Sequence, residues 1–71
     1  MKRVNVERLF SLAVASLSSA LRELKEAKES LEKIYEAVPD MDYLKYIERI
    51  EKLMKEIKEL KKDIDYELQI L

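Results

Sequence analysis

From Val6 to Val38 the apolar residues recur at alternating steps of four and three without a slip: Val6, Phe10, Ala13, Leu17, Ala20, Leu24, Ala27, Leu31, Ile34, Val38. That is a heptad repeat, the pattern of a helix with one face against another helix. Written as a heptad, Phe10, Leu17, Leu24, Leu31 and Val38 take position a. Val6, Ala13, Ala20, Ala27 and Ile34 take position d. A sheet cannot accommodate this period, because strand side chains alternate every two residues. The pattern stops at Pro39, the single proline of the chain. Proline lacks a backbone N–H and drives the residue before it out of helical geometry.

A second heptad follows. Its a positions are Tyr43, Ile50, Ile57, Ile64 and Leu71. Its d positions are Tyr46, Leu53 and Leu60, ending at Glu67, where the pattern slips to Leu68. Ile47 and Met54 widen the stripe. Asp40 or Asp42 can cap the second helix, whose N-terminal end favours acids. The expectation is one all-α domain over 1–71: a helix over about 4–37, a turn over 38–40 and a helix over about 41–70. So short a turn makes the helices antiparallel neighbours. Folding at Pro39 pairs residues whose numbers sum to 81, such as Ile34 with Ile47, Leu31 with Ile50 and Leu24 with Ile57. It sets Ala27 against Met54 and Ala20 opposite Lys61, so small residues face large ones. Tyr43 and Tyr46 become core positions near the turn, with Tyr35 beside the seam.

The Ala-containing heptads and short turn resemble the helical hairpins of the repressor-of-primer family. The resemblance is architectural and implies dimerisation into a four-helix bundle. No functional residue is carried over from it. Chain length points the same way. Domains this small rarely build a sufficient core alone, and association is a common remedy.

The residues beside the seam suggest where a partner binds. Leu9, Leu12, Val14 and Leu21 flank the stripe before Arg22, and Tyr66, Leu68, Ile70 and Leu71 cluster at the other end of the chain. Antiparallel folding brings these eight together at the terminal end of the hairpin. They form the expected interaction surface, with a narrower seam and a charged exterior at the turn end. Leu12→Glu or Val14→Lys is expected to disrupt self-association.

Composition limits the chemistry. Cys and His are absent, so there is no thiol nucleophile, no disulfide and no imidazole base or ligand. No Gly-rich loop or convergent polar cluster stands in for them, so neither enzyme nor cofactor nor metal site is expected. Glu67 is the one acid at a core register position. Lys+Arg 14 and Asp+Glu 15 nearly cancel. The basic strip Lys55, Lys58, Lys62 is interleaved with Glu56, Glu59 and Asp63, which makes nucleic acid an unfavoured partner. Glu29–Lys33, Glu48–Lys52 and Glu51–Lys55 are i,i+4 pairs suited to a solvated exterior. Lys2, Arg3 and Arg8 should approach Asp63, Asp65 and Glu67.

Lys2, Arg3 and the uncharged run Leu9–Leu21 imitate a signal peptide, but the heptad continues unbroken through Ala13-Val14-Ala15. The run is also shorter than the ~20 residues needed to span a bilayer. A cytoplasmic interaction module that pairs with its own copy as an adaptor or small structural subunit is the reading favoured here. The alternatives are an accessory subunit docking on a larger replication or transcription enzyme of a thermophile, a nucleic-acid-binding regulator, and a designed helical bundle. Lys/Glu richness fits a thermophile, and the serines and scattered tyrosines favour a natural sequence.

Overall fold

The computed structural model describes residues 4–71. Two helices pack as a hairpin: α1, Val6–Ala37, and α2, Met41–Ile70. The hairpin is a rod of 57 × 19 × 16 Å.

Each end of the helices has a local cause. Asn5 caps α1, its side-chain oxygen accepting from the Arg8 N–H at 2.9 Å. The residues on either side of the cap, Val4 and Leu9, line one groove with Asn5, Arg8 and Leu12. Val4 before the cap and Leu9 four positions into the helix stand where a hydrophobic staple forms. The start expected from the sequence, at about residue 4, is two residues earlier. At the far end Val38 leaves the helix with φ −135° and ψ 87°, while its N–H still donates to the Ile34 carbonyl at 2.8 Å. Pro39 follows, and Asp40 caps α2 by accepting from the Asp42 N–H at 2.8 Å. The Asp40 carbonyl also accepts from Tyr43 N–H at 3.0 Å. The chain therefore reverses in three residues with no positive φ among the described residues. A helix C-terminus often turns on a left-handed glycine. Here Pro39 forces the exit through extended backbone instead.

The seam between the helices differs from the expected one. The half-buried large side chains of α1 are Phe10, Val14, Leu17, Leu21, Leu24, Lys28, Leu31 and Tyr35. In α2 the matching line is Tyr43, Ile47, Ile50, Met54, Ile57, Lys61, Ile64 and Leu68. Both lines alternate four and three, but they are heptad positions a and e, not a and d. At 100° per residue the change turns each helix by about 50° about its axis. The pairing of Ala27 with Met54 gives way accordingly. Lys28 and Met54 line a common groove, and Lys28 Nζ reaches Glu51 Oε1 across the seam at 3.7 Å. This ion pair fits the expected register to within two residues. Both side chains are partly exposed, so it contributes under about 1 kcal/mol.

Only Ile47, at 5% exposure, is buried among the described residues. Two helices side by side can close only a line of contact, so every other seam residue stays partly open. Tyr46, expected in the core, is 47% exposed because it sits at position d. Tyr43 and Tyr35 are half-buried.

Candidate interaction face

With positions a and e turned toward each other, position d lies about 80° from the centre of the seam. Antiparallel helices wind in opposite senses when viewed down one axis, so both d lines emerge on the same side of the hairpin. In α1 that line is Val6, Ala13, Ala20, Ala27 and Ile34. In α2 it is Tyr46, Leu53, Leu60 and Glu67. Ile34, Tyr46, Leu53 and Leu60 each keep 46–49% of their surface exposed. Open grooves run beside them, one lined by Tyr46, Arg49, Ile50 and Leu53, the next by Arg49, Lys52, Leu53 and Glu56. Leu9 and Ile70, at position g, extend this face at the terminal end, and both are exposed.

The opposite side is polar apart from Leu44 near the turn. Its position b line is Ser11, Ser18, Lys25 and Glu32 in α1 and Leu44, Glu51, Lys58 and Asp65 in α2. The Lys28–Glu51 ion pair lies there, in a groove that also holds Met54, Lys55 and Lys58. The hairpin is thus two-sided in character: an apolar d face and a charged back.

The eight residues expected at the interaction surface separate into three groups. Val14, Leu21 and Leu68 are at position e and half-buried in the hairpin's own seam. Leu9 and Ile70 border the d face. Leu12 and Tyr66, both at position c, project from the outer edges of the terminal end, and Leu71 follows α2 as an exposed end residue. Exposed apolar side chains are also not confined to the terminal half. Ile34, Val38, Met41 and Tyr46 are exposed near the turn, where a narrow seam and charged exterior were expected. Sequence reasoning missed Leu53 and Leu60 as surface residues, having assigned position d to the internal seam. The signal for the alternative was Val14, Leu21, Ile47, Met54 and Leu68, an apolar e line interrupted by Lys28 and Lys61.

Charge placement also departs from the i,i+4 scheme. Lys28–Glu51 is the only ion pair within 4.0 Å among the described residues. Glu51 therefore reaches across the hairpin rather than along α2 to Lys55. Lys2 and Arg3 lie outside the described residues, and Arg8 makes no such pair with Asp63, Asp65 or Glu67. Glu67 is exposed. Among the described residues no three acids converge as a metal site would require, and no buried side-chain polar atom lacks a partner. No described helix is long and apolar enough to cross a membrane. Comparison with protein-family models, curated proteins and solved structures returned no match.

Proposed function

We propose that this chain is a non-enzymatic protein–protein interaction module that works as a homodimeric four-helix bundle, serving as an adaptor or a small structural subunit. One observation carries the reading: an exposed d face that runs along the hairpin from Leu9 to the turn. In a four-helix bundle each helix packs against two neighbours around a shared core; here positions a and e serve one contact, and the exposed position d is available for the other. The hairpin fills the first of these contacts and leaves the second open. A Lys/Glu-rich chain without cysteine suits the cytoplasm.

The test is a pair of variants measured by light scattering. Leu60→Glu places a charge in the middle of the d face and should halve the mass from a dimer to 8.4 kDa. Leu12→Glu adds the same charge on the outer edge and should leave the dimer intact. Equal dissociation by both, or by neither, would count against this face.

A second reading has its own support. Leu12 and Tyr66 lie on outer edges that neither the internal seam nor the d face covers. They suit docking of the terminal end onto a larger protein, as an accessory subunit would require. Such a subunit should co-purify with a larger protein from its host and lose it on Leu12→Glu/Tyr66→Glu substitution. The lysines of the back groove support nucleic-acid binding less well, since Glu51 already neutralises part of that charge. Retention on RNA or DNA at low salt, lost as salt rises, is the observation that would favour it.

A further inference from the structure

We infer that the second copy lies on the d face with both turns at the same end, so that α1 of each hairpin packs against α2 of the other. The inference rests on the dimer reading above and specifies its geometry. The area is of the size a second copy would cover, and the match of the α1 alanines to the α2 leucines on the d face argues for that occupant. The hairpin exposes 6127 Å², against about 4,600 Å² for a compact monomer of this mass. The excess is about 1,500 Å² per copy, or about 3,000 Å² for a pair, within the range of obligate homodimers.

Two symmetric arrangements stack the d faces and keep every neighbouring helix antiparallel. With turns together, the two-fold axis runs along the bundle, so heights are preserved and the register follows from the hairpin itself. Ala27 then meets the partner's Leu53, and Ala20 meets the partner's Leu60. Each central layer pairs a small side chain with a large one, and both inter-hairpin contacts are identical. With turns at opposite ends, α1 packs on its own copy, which sets Ala20 near the partner's Ala27. α2 likewise sets Leu53 near the partner's Leu60. One contact would then want helices near 8 Å apart and the other near 10 Å. A bundle of rigid hairpins cannot close both without voids or clashes, and interiors tolerate neither well. Charge does not separate the two arrangements: Glu23 and Glu56 fall near mid-height in each.

The chain has no cysteine, so a single spin label at Glu36→Cys, exposed near the turn, reads the geometry directly. Circular dichroism of the labelled protein confirms helicity first. Turns together place the two labels on one end of the bundle, with a pulsed dipolar distance below about 30 Å. Turns apart, in the register that sets Ala20 near the partner's Ala27, separate them by some 25 residues of helical rise, about 38 Å along the bundle before the sideways offset is added. A long distance overturns this orientation while leaving the dimer standing. Absence of any dipolar coupling, with a monomer mass, overturns the dimer as well.

Discussion

Leu53→Ala separates an isolated hairpin from a dimer by magnitude alone. Leu53 keeps 48% of its surface exposed in the single hairpin. Full burial of a leucine side chain contributes about 1.5–3 kcal/mol, so a half-buried one should lose only about 1 kcal/mol on truncation. If a second copy covers the d face, the same residue becomes core. Truncation then costs about 2–5 kcal/mol per chain, transfer and cavity together. A dimer counts that loss twice. Equilibrium urea unfolding followed by circular dichroism, at protein concentrations a hundredfold apart, measures both the loss and its origin. A dimer gains about 1.4 kcal/mol of apparent stability for each tenfold rise in concentration. Wild-type and Leu53→Ala midpoints should both move with concentration, separated by the large loss. A loss near 1 kcal/mol with midpoints independent of concentration would refute the reasoning, and Leu53 would be an ordinary surface residue.

Other perturbations report on the hairpin itself. Ile47→Ala removes the one buried side chain among the described residues and should cost about 2–5 kcal/mol by urea unfolding, whether or not the chain dimerises. Asp40→Ala deletes the cap that accepts from Asp42 N–H. It should destabilise by about 1 kcal/mol, with faster amide exchange confined to the first turn of α2. Lys28→Leu fills a gap in the α1 seam between Leu24 and Leu31. It removes only a partly exposed ion pair, so the thermal midpoint should rise by several degrees. Val14→Lys tests the seam rather than association: it should unfold the hairpin, visible as lost helicity rather than as a folded monomer.

The hairpin was legible in the sequence because its signals are local. Pro39 stops one helix, Asp40 starts the next, and the heptads name the stripe. Asn5 carried a cap signal too, as a cap-forming residue between Val4 and Leu9, but a start at about residue 4 passed over it. The division of the stripe was harder to read. Positions a, d and e are all largely apolar here, which makes the stripe wide enough for two neighbours. Periodicity locates such a stripe but does not say which half the intramolecular neighbour takes. Lys28 and Lys61 sit at position e, which makes that line look like surface when read alone. Their long aliphatic stems can lie along the seam while the charges stay wet. The alanines at position d had the opposite effect, marking a close contact without revealing whose.

The central claim is that the d face is covered by a second copy, and the mass of the unmodified protein tests it most directly. Sedimentation equilibrium across a wide concentration range should return twice 8.4 kDa. A mass of 8.4 kDa persisting at the highest concentrations, with the helices intact, would contradict it.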